Sequence, residues 1–297
     1  MNIDTLRFFY DVATYKSISK AASLSHISQS ALSQQLSNME NRFGAKFFER
    51  SNKGVELTPQ GRTLLKYVEV ILQSYDRMLE EMDSFKQNKS IVVIDSYYNL
   101  SNSSITTVLY NSKKRFPDLD IRLNNTIIEN IESNITNNIS DLGISFREPD
   151  DNSLLFTKIM EDSLVLVASK NFNGPDSISI GNIADYPLIM INDRFNVKRK
   201  LQLALKDMGS SSDLNILYTV NTMDMARDSV LKGYGLSVIP RICIMDDLIK
   251  GKLKEVTLKD FSLDYNIYLI YTNSNYKLMK PFIDYVKKEC KKIYNII

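Results

Sequence analysis

The chain has 297 residues, 43% hydrophobic and 24% charged, with a formal net charge of +2. That length holds two or three domains with a substantial core, and the balance is that of an ordinary soluble protein. No apolar run is long enough to span a bilayer, the opening MNIDTLRFFYD lacks the basic and apolar regions of an export signal, and two cysteines 47 residues apart with one histidine offer no metal or redox framework. A cytoplasmic protein without membrane contact, metal or cofactor is therefore expected.

Leu6, Phe9, Val12 and Ala13 recur at helical spacing and mark a first helix. Ile18, Ala21, Ala22 and Leu24 mark a second, whose paired alanines permit a close crossing with a third. His26 falls in the turn between them. The third helix begins at Gln29 behind an N-cap at Ser28, places Leu32, Leu36, Met39 and Phe43 on one stripe to be buried, and ends at Gly44 in the left-handed position. Ser30, Ser33, Gln34, Ser37 and Asn41 form the opposite face, short, polar and uncharged, with the reach to read base edges in a major groove. The free N–H groups at the start of this helix suit a phosphate. Lys46 to Glu49 and Val55 to Thr58 then flank a turn-forming stretch, Arg50 to Gly54, as a wing whose cations Arg50 and Lys53 suit a phosphate backbone or a minor groove. The candidate DNA contacts are Ser28, Gln29, Ser30, Ser33, Gln34, Ser37, Arg50 and Lys53. Taken alone, a serine-rich helical face is more often solvated surface. The charge surplus supports duplex DNA: residues 1–66 hold nine Lys and Arg against five Asp and Glu, whereas residues 91–297 hold 25 of each.

Thr58 followed by Pro59 reads as an N-cap with proline at the first helical position. From Leu64 the apolar residues Val68, Ile71, Tyr75, Met78, Met82 and Phe85 follow in alternating steps of four and three, a heptad seam among charged neighbours. The seam can pack on the chain's own domains or on a second copy; the second is favoured, giving a homodimer through residues 59–87. As a helix that stretch spans ~43 Å. Lys86 to Ser90 is the expected hinge.

From residue 91 short apolar runs alternate with amphipathic stretches: IVVID (91–95), LDIRLNN (119–125), DLGISF (141–146), SLVLVAS (163–169), PLIMI (187–191), NILYTV (215–220), GLSVI (235–239) and YNIYLIYT (265–272). Runs apolar on both faces predict mainly parallel strands covered by helices. Ligands in such sheets sit beyond the strands' carboxyl ends. The residues there are Ser96, Tyr97, Tyr98 and Ser101, then Asn125 and Thr126, Arg147, Asn192, and Thr222 with Met223. As a set they predict a small-molecule cleft, although Ser101 and Thr222 are also good N-caps and Arg147 has Glu148 and Asp150 nearby. Arg147 tilts the expectation toward an anionic effector. Gly233-x-Gly235 lacks the third glycine of a nucleotide fingerprint and reads as a helix stop. Lys277 to Lys292 reads as the solvated face of a terminal helix.

Five segments carry a family resemblance: Leu6 with Phe9, Ser17-Ile18-Ser19-Lys20-Ala21-Ala22, Ser28-Gln29-Ser30-Ala31-Leu32-Ser33, Phe47-Phe48-Glu49-Arg50 and Leu57-Thr58-Pro59-Gln60-Gly61. Residues 1–89 closely resemble the DNA-binding domain of LysR-type transcriptional regulators, with mild departures at Ser30, Met39 and Phe47. Asp141-Leu142-Gly143-Ile144 and Gly233 to Pro240 look like recurring segments of that family's effector domain. The resemblance implies an N-terminal all-α winged helix-turn-helix at 1–58, a linker and dimerisation helix with hinge at 59–90, and a C-terminal α/β effector domain at 91–297. The last consists of two periplasmic-binding-protein-like subdomains, I at about 91–161 and 266–297 and II at about 162–265, with the effector between them. It implies a sequence-specific regulator whose promoter-binding geometry is switched by a small-molecule effector, working as a homodimer or homotetramer on double-stranded DNA, with RNA polymerase open as a further partner. The alternatives are a DNA-binding protein without effector and a DNA-tethered enzyme. The missing Gly-x-x-x-x-Gly-Lys, Gly-x-Ser-x-Gly and His-Glu-x-x-His argue against the enzyme.

Overall fold

A computed structural model describes residues 2–51, 54–86, 90–97, 103–192, 196–209 and 213–294. The chain separates into two compact units, one of residues 1–90 with 137–139, the other of residues 91–136 and 140–297.

The first unit runs α1 (Ile3–Tyr15), α2 (Ile18–Leu24), α3 (Gln29–Phe43), β1 (Phe48–Ser51), β2 (Gly54–Leu57) and α4 (Pro59–Lys86). Side chains supply each helix start: Asn2, Ser17 and Ser28 accept the N–H of Thr5, Lys20 and Ala31. Leu6, Phe9, Val12, Ala21, Ala22, Leu32, Leu36 and Met39 form one core, closed by Phe47 and by Val68 and Leu72 of α4. The stripe on α3 is one residue shorter than expected. Phe43 is 50% exposed, because the chain turns at Gly44 (φ +62°) directly beyond it and leaves the edge of the Phe47 ring, 5.6 Å away, as its cover. Leu24, also expected on a buried face, ends a two-turn helix beyond the alanines that make the crossing and is exposed.

The wing pairs Phe48 with Leu57 through Ser51 with Gly54, so its first strand starts later than the expected Lys46 and its second starts at Gly54, just ahead of the expected Val55. Lys46 and Phe47 are used otherwise: their carbonyls accept the Thr58 hydroxyl at 2.6 Å and the Thr58 N–H at 3.0 Å. Thr58 also accepts the Gly61 N–H at 3.0 Å and so caps α4. Of the expected seam, Val68 is buried and Leu64 half-buried in the unit's own core, whereas Ile71 is 45% and Phe85 72% exposed. The seam thus packs on the unit's own core at its start and is exposed at Ile71, Met78, Met82 and Phe85. The expected hinge falls largely on residues 87–89, outside the described residues.

The second unit contains β3 (Ser90–Tyr97), α5 (Ser103–Arg115), β4 (Leu119–Thr126), α6 (Ile128–Thr136), β5 (Leu142–Ser145), β6 (Leu155–Ser169), β7 (Ser177–Ser179) and β8 (Leu188–Ile191). It continues through α7 (Val197–Asp207), β9 (Ile216–Val220), α8 (Met223–Leu231), β10 (Ser237–Pro240), α9 (Met245–Ile249), β11 (Leu253–Lys259), β12 (Asp264–Tyr271) and α10 (Asn273–Tyr294). The main sheet has the order β4-β3-β5-β12-β6-β11-β7, with β10 also on β6. Two cores result: one gathers Val92, Ile131, Leu142, Ile267 and Ile283, the other Leu166, Leu188, Leu201, Val230 and Ile239.

The expectation of mainly parallel strands holds for β3 with β5 and for β8 with β9, but not along β6. That 15-residue strand pairs antiparallel with β12 through its first half and with β10 and β11 through its second. A chain that leaves one core on β6 and returns beside it on β12 must run the two in opposite directions. The sequence reading also missed β7, β11 and the first half of β6. α10 bends at Met279, ahead of Pro281, and buries Phe282, Ile283, Val286 and Cys290 while Lys277, Lys280, Lys288, Lys291 and Lys292 are exposed and Lys287 donates to the Tyr271 hydroxyl at 3.0 Å.

Gly61 marks the closest approach in the first unit. A Cβ there would lie 2.1 Å from the Phe47 carbonyl oxygen. Helix propensity alone favours Gly61→Ala by about 1 kcal/mol. Overpacking costs about 1–3 kcal/mol and outweighs it. The variant is therefore expected to lower the urea midpoint of the full chain, and a raised midpoint would show that α4 moves away freely.

Candidate functional site

On α3 the face opposite the buried stripe is open: Gln29, Ser30, Gln34 and Asn41 are exposed, Ser33 and Ser37 half-buried. Ser28 spends its hydroxyl on the cap, accepting Ala31 N–H at 3.1 Å and lying 3.0 Å from Ser30 Oγ. Gln34 Nε2 donates to Asn38 Oδ1 at 3.0 Å. Lys53 and the side chain of Arg50 lie outside the described residues.

The wing is fixed to the helices by two contacts that the sequence did not announce. Val55 N–H donates to the carbonyl of Lys16, just past α1, at 3.1 Å. Glu40, on the buried side of α3, accepts the Phe47 N–H at 2.9 Å, that of Phe48 at 3.4 Å, and the Lys46 ammonium at 2.6 Å. Burial raises the Glu40 pKa, but the Lys46 ammonium and the two amides outweigh it and hold the carboxyl below its ordinary value of 4.5. α3 and the wing are thus joined through one carboxylate. Its stabilisation is complete above the ordinary carboxylate range and disappears as pH falls through the lowered pKa. Glu40→Ala should cost about 1–3 kcal/mol at neutral pH by stranding the buried Phe47 amide, and the gap to the parent should narrow in acid melts. A gap independent of pH would mean that the carboxylate's charge plays no part.

In the second unit the expected cleft residues fall into two groups. At the ends of β3 and β5, Tyr97 packs edge-on against Phe146 at 5.1 Å, and Ser145 Oγ accepts the Arg147 N–H at 3.2 Å. Ser96 beside them has 0% exposure, its hydroxyl 3.4 Å from the Tyr97 carbonyl. Asn125 is exposed and Thr126 half-buried at the end of β4. At the ends of β8 and β9, Asn192 N–H donates to the Val220 carbonyl at 2.8 Å, which sets Asn192 beside the strand leading to Thr222. Thr222 caps α8, accepting Met225 N–H at 3.3 Å. Tyr98 and Ser101 lie outside the described residues.

Two of these residues carry other duties. Met223 is 4% exposed and belongs to the core beneath α8, because the first residue of that helix turns inward. Arg147 pairs with Glu132 of α6 at 3.6 Å and with Asp150 at 3.2 Å, so part of its charge is already matched. Phe146, which Tyr97 supports, packs against both cores and lies where they meet.

Where the chain crosses between the cores, Asp162 of β6 stands opposite Tyr265 of β12. The buried carboxylate accepts the Tyr265 hydroxyl and, at 3.3 Å to each oxygen, the N–H of Ile242. Burial raises its pKa, opposed by Tyr265, the amides of Ser163 and Ile242, and Arg241. Burial likewise raises the Asp95 carboxyl in β3, opposed by the amides of Asn134 and Asn124. Among the described residues no helix is long and apolar enough to cross a membrane, and no group of His, Cys, Asp and Glu could hold a metal.

Comparison with known proteins matches residues 3–62 to the bacterial regulatory helix-turn-helix protein family of lysR type and residues 90–291 to the LysR substrate binding domain. The chain is 26% identical to the HTH-type transcriptional regulator CzcR of Bacillus subtilis (strain 168) over 255 residues, 85% of each chain. It is 24% identical to the RuBisCO operon transcriptional regulator of Allochromatium vinosum, covering 99% of this chain and 98% of that one. Among solved structures, the LysR family regulator CbnR superposes with a TM-score of 0.76 at 16% identity over 98% of this chain and 99% of that chain.

Proposed function

The chain belongs to the LysR-type transcriptional regulators, DNA-binding proteins with an effector-binding domain, and from that premise we propose that α3 reads base edges in a major groove while a small molecule held between the two cores sets the geometry of promoter binding. One observation carries the first half: α3 buries one stripe and presents an uncharged face of amides and hydroxyls from a capped N-terminus. CbnR, a relative in fold, has been crystallised with its target DNA. In this reading Gln29, Ser33 and Gln34 contact bases, Ser28, Ser30 and Ser37 support them, and Arg50 and Lys53, assigned from the sequence alone, meet phosphate or the minor groove.

For the effector, the reading rests on Phe146 with Tyr97 where the two cores meet, flanked by Ser96, Thr126, Asn192 and Thr222. An anionic effector has to displace Glu132 or Asp150 from Arg147, so a neutral or weakly acidic small molecule suits the described pairing better. The exposed half of the α4 seam, from Ile71 to Phe85, supports a homodimer through residues 59–87, and pairs of dimers give a homotetramer. RNA polymerase is the natural further partner if the protein activates. The protein acts in the cytoplasm, where its DNA is. The relatives are named as transcriptional regulators, and no catalytic turnover is proposed.

Footprinting on the intergenic DNA beside its own gene, with and without a panel of small metabolites, tests the whole. A footprint whose length or internal hypersensitivity changes with one compound supports the reading; binding indifferent to every compound overturns the effector half. Gln34→Ala should cost about 1–3 kcal/mol on the selected site and little on random DNA, and equal losses on both would remove this face from base readout. Ile71→Lys or Met78→Lys should shift sedimentation toward monomer, because a charge in an apolar seam lacks a partner. A variant that sediments as the parent does places the interface elsewhere.

A further inference from the structure

We propose that Asn38 is a positioning residue for sequence readout: it holds the Gln34 amide in one of its two orientations and thereby decides which base Gln34 accepts. The proposal rests on the reading of Gln34 as a base contact and adds to it the residue that makes that contact selective.

Gln34 and Asn38 are one turn apart on the exposed face of α3, and Gln34 Nε2 donates to Asn38 Oδ1 at 3.0 Å. Of the exposed glutamines on this helix, Gln29 and Gln35 have no such side-chain partner among the described residues. The terminal torsion of glutamine is broad and nearly two-fold, so a free amide presents oxygen or nitrogen to a given point with little preference. To pair with adenine it has to place Oε1 against the N6 amino group and Nε2 against N7. Turned over, it sets oxygen against the N7 acceptor and the contact is lost.

A tether on Nε2 removes that ambiguity. The nitrogen carries two hydrogens; one is given to Asn38 and the other stays beside Oε1 for the base. Asn38 sits toward the C-terminal end of the helix, so the nitrogen is drawn to that side and the oxygen is left on the other. The side chain is ordered before DNA arrives, which reduces what binding must order. The order of acceptor and donor along the groove is then fixed.

Binding-site selection from randomised duplexes, using the full chain, tests this. Gln34→Ala should reduce the preference at one base pair by about 10- to 100-fold. Asn38→Ala should relax the same base pair by about 2-fold, and the double variant should match Gln34→Ala alone. Asn38→Asp, which can only accept, should keep the preference while its added charge weakens binding to all sequences alike. Three results overturn the proposal: Asn38→Ala leaves the Gln34-dependent base pair unchanged, alters a different base pair even without Gln34, or lowers thermal stability and binding to every sequence equally, as a purely structural hydrogen bond would. Failure of Asn38→Asp to keep the preference would show the bond running from Asn38 to Gln34 and overturn it too. If Gln34→Ala itself changes no base preference, the underlying reading of Gln34 falls first.

Discussion

The effector-binding unit depends on a chain that must pass twice between two cores. β6 carries it out and β12 brings it back, side by side and antiparallel, so the two cores share a short ribbon as their connection. A polar cluster occupies that ribbon where an apolar pair would have served for packing. Asp162 gathers the Tyr265 hydroxyl from the neighbouring strand and the amide of Ile242 from the turn after β10. Hydrogen bonds have directions and apolar contacts do not, so such a cluster favours a few arrangements of the three segments over a continuum. Bistable closure around a ligand needs that property.

The DNA-binding unit uses the same device on a smaller scale. Its helices are capped locally, but the position of the wing is set by distant groups: the Lys16 carbonyl at the end of α1 and the Glu40 carboxylate on α3. Glu40 belongs to the face of α3 that packs inward, and it is spent on holding Phe47 and Phe48 while the outward face stays free of charge. One helix thus joins the wing through Glu40 while Gln29, Ser30, Gln34 and Asn41 stay exposed. Gly61 brings α4 against the Phe47 carbonyl from behind, so the same short segment is clasped on two sides.

What could be read from the sequence follows how local each interaction is. Ser17, Ser28, Gly44 and Thr58 with Pro59 act on backbone groups within four residues, and the helices they bound fell where expected. The first half of β6 was hidden because Lys158, Glu161 and Asp162 break its apolar run: Lys158 and Glu161 pair with each other, and the partners of Asp162, Tyr265 and the Ile242 amide, lie 103 and 80 residues away in sequence. β11, LKEVTLK, is an alternating strand of the same kind. In the candidate cleft the rule that ligands lie beyond strand ends selects stretches of chain but cannot tell inward from outward positions. Thr222 caps α8 while its neighbour Met223 turns into the core. Arg147 meets Glu132, which no local pattern connects to it.

The linker helix shows why a periodic signal needs a second constraint. Its seam keeps one spacing from Leu64 to Phe85, yet the helix divides in use: Val68 and Leu72 complete the core of the DNA-binding unit, and Ile71, Met78, Met82 and Phe85 leave apolar surface open. Because one rigid element does both jobs, a rotation imposed on its open half must be transmitted to the docked half, where Val68 and Gly61 leave little room to absorb it. A helix only partly committed to its own domain is therefore suited to carry a change at its exposed half into the core of the DNA-binding unit.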